Sequence, residues 1–188
     1  MPSPLLVSEP ASPAVLGDEA ILTQAEADAL ADAAIQRWAA AGATVGQLAA
    51  METVSIVVAD MAGTYLGSSE DGAIHLDGDG GGHGWFVDAT PGEDSEFGGS
   101  GEVLVALAGG AADGRIDALT VIMHELGHQI GLADVYSPGS ESELMHGYLD
   151  PGERRLPDGV FETGAPTLAE GIAELGGIAL PQQDISAV

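Results

Sequence analysis

The 188-residue chain contains no cysteine, no lysine and only four arginines. Because cysteine is absent, disulfide scaffolds and metal sites with thiolate ligands are excluded. Four arginines cannot form the basic surface that nucleic-acid binding requires, and the same shortage disfavours anionic membrane surfaces. No apolar run approaches the ~18 residues that a transmembrane helix needs. We therefore expect no nucleic-acid partner and no membrane insertion.

Acidic side chains dominate the charge, since 30 aspartates and glutamates give a formal net charge of −26. Self-repulsion at this charge destabilises a compact state unless cations screen it or bind to it. Hydrophobic residues nevertheless make up 45% of the chain, so it can bury a core, and its length suits one domain. The acidity has three ordinary explanations: a solvated surface, a set of calcium sites, or both.

The composition changes along the chain and suggests three segments. Residues 1–20 are rich in proline, serine and alanine, which favours a linker or loose arm, and they lack the basic and apolar regions of a signal peptide. We expect the folded domain at 21–178 and a tail at 179–188.

Helical periodicity occurs in three places. Thr23 and Glu26 form a capping-box pattern, which predicts a helix at 24–41. Asp117 is a natural N-cap for a second helix. A weaker helical pattern covers residues 167–175.

Short apolar segments predict a small sheet. Residues 54–61 are rich in β-branched residues and suit a buried strand. Residues 63–69 are flanked by glycine and suit an edge strand. A long loop rich in glycine and acidic residues separates the last two strands. The predicted strands are 54–61, 63–69 and 73–77, and residues 103–107 form either a short strand or an apolar piece of the next loop.

The strongest chemical signal is the sequence His124-Glu125-Leu-Gly-His128 on the second helix. Residues four apart on a helix differ by ~6 Å in rise and ~40° in rotation, so both imidazoles point the same way and could share one metal ion. Glu125 then lies beside the metal, where a general base for metal-activated water belongs. Such a pattern is expected by chance only about 0.01 times in a chain of this composition.

The residues after the helix could complete a metal site. Gly131 permits a backbone turn that other residues resist. The turn would bring Asp134 in as a third, anionic ligand and leave the fourth position to water, as a catalytic zinc requires. His146 is the competing third ligand.

The segment HELGHQIGLAD resembles the zinc-binding motif of the metzincin peptidases, and LTVIMHELGHQIGL is especially similar to the active-site helix of the matrixin branch. The resemblance implies that Met145 is the Met-turn methionine beneath the metal. Asp134 replaces the usual third histidine, as it does in snapalysin-type metzincins. Tyr148 would line the substrate pocket, donate to the oxyanion or simply pack. WFVD, the acidic loop and GERRLP are similar to metzincin-like modules of large, repeat-rich bacterial surface proteins.

This resemblance implies an α+β fold: a twisted mixed sheet of about four to five strands, an N-terminal backing helix, an active-site helix and a small C-terminal subdomain after the Met-turn. It implies a zinc endopeptidase with Glu125 as general base, whose polypeptide substrate extends along the edge strand. We expect an extracellular or cell-surface bacterial protein that is monomeric or part of a larger chain. The rivals are a non-catalytic, calcium-stabilised adhesion or spacer module and an intracellular halophilic protein with a structural motif.

The acidic loop suggests a second metal. Asp77 and Asp79, separated by glycine, are typical of calcium ligands, although a solvated surface explains them equally well. AIHLDGD also resembles the matrixin stretch that carries a structural zinc histidine, which would make His75 a ligand, but the chain has no upstream HxD partner for it. The further carboxylates of this loop are Asp88, Glu93, Asp94 and Glu96.

Overall fold

The computed structural model describes residues 4–11, 21–70 and 72–159. The weak helical pattern at 167–175 and the tail at 179–188 lie outside these ranges. The helices of the described part are α1 (Gln24–Ala40), α2 (Val45–Glu52) and α3 (Ala118–Gln129). Its strands are β1 (Leu5–Val7), β2 (Ser55–Ala59), β3 (Tyr65–Glu70), β4 (Ala73–Asp77), β5 (Trp85–Phe86), β6 (Phe97–Gly99), β7 (Val103–Ala106), β8 (Ile116–Asp117), β9 (Tyr148–Leu149) and β10 (Glu153–Arg155).

Helix α1 begins where the capping box predicts. The Thr23 amide donates to the Glu26 carboxylate at 2.9 Å, and the Glu26 amide donates to the Thr23 hydroxyl at 3.3 Å. Trp38 is buried and its indole N–H donates to the Met123 carbonyl at 3.0 Å. These contacts lay α1 against α3 and fix the position of the helix that carries the histidines.

The main sheet has five strands in the order β2-β4-β3-β1-β9. β2 is parallel to β4, β3 is antiparallel to β4 and to β1, and β1 is parallel to β9. Three helices and a mixed five-stranded sheet confirm the expected α+β class.

Three expectations about the strands are wrong. The segment expected to be buried, β2, is the edge of the sheet, and its side chains are exposed or half-buried. The segment expected to be the edge, β3, lies inside the sheet because β1 pairs with its outer side. Residues 5–7, expected in a linker, form that pairing strand because Leu5 and Val7 bury their side chains in the core.

The long loop after β4 contains the two short strands β5 and β6 and contributes to a second small core. β5 pairs with β8 in parallel, and β7 pairs with β6 and β10. The small core consists of Phe86, Phe97, Leu104 and Ala112. Among the described helices, none combines the length and apolarity needed to cross a membrane.

Candidate metal centre

Helix α3 passes through the middle of the core, which explains how two histidines on it become buried. The Asp117 side chain caps the helix by accepting from the Thr120 amide at 3.1 Å and from its hydroxyl at 2.6 Å. All residues from 118 to 127 are buried. His124 and His128 lie one turn apart, with ring centroids 4.9 Å apart.

Backbone carbonyls fix the orientation of both imidazole rings. His124 Nδ1 lies 2.8 Å from the Leu144 carbonyl, and His128 Nδ1 lies 2.9 Å from the Leu132 carbonyl. A carbonyl oxygen only accepts, so each Nδ1 carries the proton and donates it. In the neutral ring the lone pair is therefore on Nε2, as metal binding requires.

Asp134 faces both lone pairs. Its Oδ1 is 3.1 Å from His124 Nε2 and 3.5 Å from His128 Nε2, and its side chain is only 5% exposed. Zinc bonds of about 2.0–2.1 Å in a tetrahedral arrangement separate neighbouring ligand atoms by about 3.4 Å. Both distances lie near this value, so Asp134 is placed to share one ion with each histidine. The turn that brings Asp134 here uses Gly131, whose φ is +88°.

The charges of this arrangement also favour a cation. Burial lowers the pKa of His128, and the nearby His124 adds to this, although the Leu132 contact and Asp134 act in the opposite direction. Its Nε2 is buried and accepts no hydrogen bond. A neutral imidazole then points a bare lone pair at a carboxylate oxygen, which is repulsive unless a cation lies between them. A bound metal ion would explain why His128 Nε2 is buried without a hydrogen-bond partner.

Glu125 lies beside this set and is fully buried. Its ligand atom lies within 4.8 Å of those of His124 and His128. Burial raises the pKa of Glu125 to about 7; the charge of His124 opposes this shift and that of Asp134 adds to it. The Leu5 amide approaches the carboxylate and favours its charged form, although neither oxygen accepts a hydrogen bond of good geometry. A carboxyl group poised near neutrality suits proton transfer.

Met145 packs against Gly127, which lies between the two histidines on α3. A methyl group placed on Gly127 would lie 2.6 Å from the Met145 sulfur, so the thioether rests against the helix between the ligands. The Met145 carbonyl accepts from the Val135 amide at 2.9 Å, which ties this segment to the turn carrying Asp134. The role of Met145 as a Met-turn methionine stays a prediction.

His146 and Tyr148 lie in an aromatic group next to the site. Their rings are 6.0 Å apart, and each is 6.0–6.2 Å from the ring of Tyr136. Burial lowers the pKa of His146, and the charge of Arg155 adds to the effect. The Tyr148 side chain is 43% exposed. Asp134, rather than His146, completes the triangle of ligand atoms.

The carboxylates proposed for calcium are engaged by backbone amides. Asp77 accepts from Met61 at 2.8 Å, from Asp79 at 3.1 Å and from Gly81 at 2.9 Å. The Asp79 side chain accepts from the Gly82 amide at 2.8 Å. These bonds give both residues a role in shaping the turn after β4, and calcium binding here stays a prediction.

His75 stands apart from the candidate centre. It lies on β4 between the buried residues Ile74 and Leu76, so its side chain points to the opposite face of the sheet. Among the described residues, the close group of possible ligand atoms formed by His124, Glu125 and His128 does not include His75. The second zinc at His75 is likewise still a prediction.

Sequence reasoning missed the role of Arg154, which is fully buried. Its guanidinium forms a two-pronged ion pair with Asp117, at 2.8 and 3.0 Å, and approaches Asp88 at 2.8 Å. A further contact of 3.1 Å reaches Asp94, which also pairs with Arg37 at 2.8 Å. Two acids of the loop are thus part of an ion-pair network that anchors the start of α3. Arg154 and Arg155 are adjacent in a chain with only four arginines, and this pair was the sequence signal for a structural role.

Comparison of this chain with protein-family models, curated proteins and solved structures finds no match, so the site is interpreted from its own geometry.

Proposed function

We propose that this protein is a zinc-dependent endopeptidase of the metzincin type. The observation that carries the proposal is the triangle formed by Asp134 Oδ1 and two imidazole nitrogens, with distances of 3.1 and 3.5 Å to His124 and His128. Zinc suits this donor set, because imidazole and carboxylate are its usual ligands in a chain without cysteine. The His124, His128 and Asp134 side chains would hold the ion.

Zinc in this position would supply a Lewis acid that polarises a peptide carbonyl and lowers the pKa of water. Glu125 adjoins the ligands, where a carboxylate can both accept and release a proton. Its carboxylate would take the proton of the attacking water and deliver it to the leaving amine. Asp134 contributes a negative charge, so the centre is one unit less positive than with three neutral imidazoles.

The buried Glu125 also argues against the rival reading of a non-catalytic spacer. A carboxyl group that is 0% exposed and accepts no hydrogen bond of good geometry destabilises a fold. A scaffold would gain stability from an apolar residue here, whereas a hydrolase needs the carboxyl group. We further propose a polypeptide substrate and an extracellular or cell-surface location in a bacterium.

The test compares Glu125→Gln with the unchanged protein after zinc loading. Endopeptidase activity on a denatured protein should fall by about 10²–10⁴-fold, the range that removal of a general base produces, while the bound zinc stays equimolar. Glu52→Gln, an exposed position at the end of α2, is the matched control and should leave activity unchanged. Equal turnover in Glu125→Gln and the unchanged protein would refute the assigned base.

A further inference from the structure

An open cleft lies between helix α1 and the segments next to strands β5 and β8. Its volume is about 510 Å³, which falls within the range of about 300–1,000 Å³ typical of small-molecule pockets. Leu30 comes from α1, Phe86 ends β5, and Arg115 immediately precedes β8. None of the residues of the candidate metal centre lines this cleft. The protein therefore has a second concave site that the proposed peptidase chemistry does not use.

Apolar side chains form the inner surface of the cleft. Leu30 and Phe86 are only 2% and 5% exposed, and Val87 and Pro91 beside them are half-buried. Water against such a surface is released when an apolar group replaces it, and this release favours binding. The part of a ligand that enters the cleft should therefore be apolar.

The cation of the cleft, Arg115, has no protein partner. Among the described residues, its side chain forms no ion pair and no hydrogen bond, although the chain carries 30 acidic residues. The other three arginines all contact carboxylates at 2.8 Å, in the pairs Arg37–Asp94, Arg154–Asp88 and Arg155–Glu153. Arg115 is half-buried, so its charge is held at the cleft without an internal counter-ion.

The two carboxylates that line the cleft are already engaged elsewhere. The Glu26 carboxylate accepts from the Thr23 amide at 2.9 Å and from the Thr23 hydroxyl at 2.6 Å. Asp88 lies 2.8 Å from the buried guanidinium of Arg154. Neither acid neutralises Arg115, yet both would repel a ligand with two or more negative charges. The charges therefore match an anion with a single negative charge.

We propose that this cleft binds an organic monocarboxylate with an apolar body, of the class of medium-chain aliphatic acids. The Arg115 guanidinium presents the paired N–H groups that a carboxylate accepts in two parallel hydrogen bonds. The aliphatic chain of the ligand lies against Leu30 and Phe86. This binding requires neither zinc nor peptidase activity, so it stands or falls separately from the proposed function.

The test is isothermal titration calorimetry of the full chain with octanoate, with octanol as the neutral probe and octylammonium as the cationic probe. A salt concentration of about 0.15 M shortens the Debye length to ~8 Å, so the net charge of the whole protein does not decide the result. Each titration is run on zinc-loaded and on zinc-free protein, because a carboxylate could also bind a metal ion. Binding in the cleft should be equal in the two preparations.

Octanoate should bind with a Kd below about 1 mM and at least about tenfold more tightly than octanol, because only the carboxylate forms charge-assisted hydrogen bonds. Hexanoate should bind at least about threefold more weakly than octanoate, because two fewer methylene groups are buried.

Two variants connect this binding to the cleft. Arg115→Met should weaken octanoate by at least about tenfold and remove its advantage over octanol. Ala29→Trp fills the cleft from an exposed position of α1 and should abolish binding. Ala39→Trp, at an exposed position of the same helix that does not line the cleft, is the matched control and should bind octanoate unchanged.

Four results would overturn the proposal. Octanoate may show no heat at ten times the expected Kd, or it may bind Arg115→Met as tightly as the unchanged protein. Tighter binding of octylammonium than of octanoate would assign the cleft to cations. Octanoate binding that occurs only in zinc-loaded protein would place the carboxylate at the metal centre instead.

Discussion

Replacement of Arg154 by methionine tests the ion-pair network that anchors the active-site helix. The guanidinium is fully buried and faces Asp88 and Asp117, whose side chains are each 1% exposed. Methionine would leave these two carboxylates without their cation, and removal of one partner from a buried pair costs about 3–5 kcal/mol. The guanidinium also lies 4.3 Å from the centre of the Phe97 ring, a contact that adds about 1 kcal/mol. Methionine retains part of the apolar packing, so we expect a net loss of about 4 kcal/mol.

The assays are urea unfolding and thermal unfolding, each followed by tryptophan fluorescence, because Trp38 and Trp85 are 1% and 0% exposed in the folded state. For a domain of this size a loss of about 4 kcal/mol lowers Tm by about 8–16 °C. Arg115→Met removes the same charge from a half-buried position and should change stability by less than about 1 kcal/mol.

A double variant, Arg154→Met with Asp88→Asn, removes one of the stranded charges and should regain at least about 1 kcal/mol. The reasoning is refuted if Arg154→Met costs less than about 1 kcal/mol, or if the second substitution lowers stability further.

Three further predictions concern acid, packing and calcium. Burial alone would raise the pKa of Asp94, but hydrogen bonds and charge from Arg37 and Arg154 hold it below the ordinary 3.8. The ion pairs of Asp94 therefore stabilise the fold above that pH, and this stability is lost as pH falls through the folded-state pKa. Asp94→Asn should flatten the dependence of unfolding free energy on pH over this acid range, as measured by urea titrations. An unchanged pH dependence would contradict the pairing. Gly127→Ala pushes a methyl group toward Met145 and should destabilise by about 1–3 kcal/mol, whereas Gly46→Ala, in a helix with open space around it, should stabilise by up to about 1 kcal/mol in the same thermal assay. Calcium should raise Tm beyond a matched ionic-strength control if the acidic loop binds it, and equal curves would assign the loop to solvated surface and backbone capping.

Local signals predicted helices and part of the sheet well. The helix with HELGH begins directly after Asp117, as its capping residue and periodicity predict, and β4 spans 73–77 as expected. Helix α2 was overlooked although Thr44 and Gln47 form a capping box. Such signals work because they depend on neighbours within one turn or one strand.

Long-range pairing could not be predicted in the same way. Three residues, Leu5–Val7, carry too little periodicity to mark a strand, and Leu6 pairs with Tyr148 from the other end of the described chain. The prediction that β3 is an edge strand failed for the same reason, because β3 lies inside the sheet only through its pairing with β1. The tertiary fold brings Arg154 to Asp88 and Asp94 of the acidic loop. Composition alone does not show these ion pairs, and it therefore predicted only calcium binding or a solvated surface for the loop.

The candidate site lies between these cases. The spacing of His124 and His128 follows from helical geometry, so their shared direction could be expected from sequence. The position of Asp134 depends on the turn at Gly131, and the carbonyl contacts that fix each ring depend on Leu132 and Leu144. The buried His128 Nε2 atom without a hydrogen-bond partner is visible only in three dimensions.

Native mass spectrometry of zinc-loaded protein, compared with the Asp134→Ala and His128→Ala variants, tests the metal centre most directly. The account predicts one tightly held zinc ion in the unchanged protein and a loss of affinity of at least about 100-fold in either variant, because each removes one of three protein ligands. Protein that holds no zinc under mild conditions, or variants that retain it undiminished, would contradict the proposed centre.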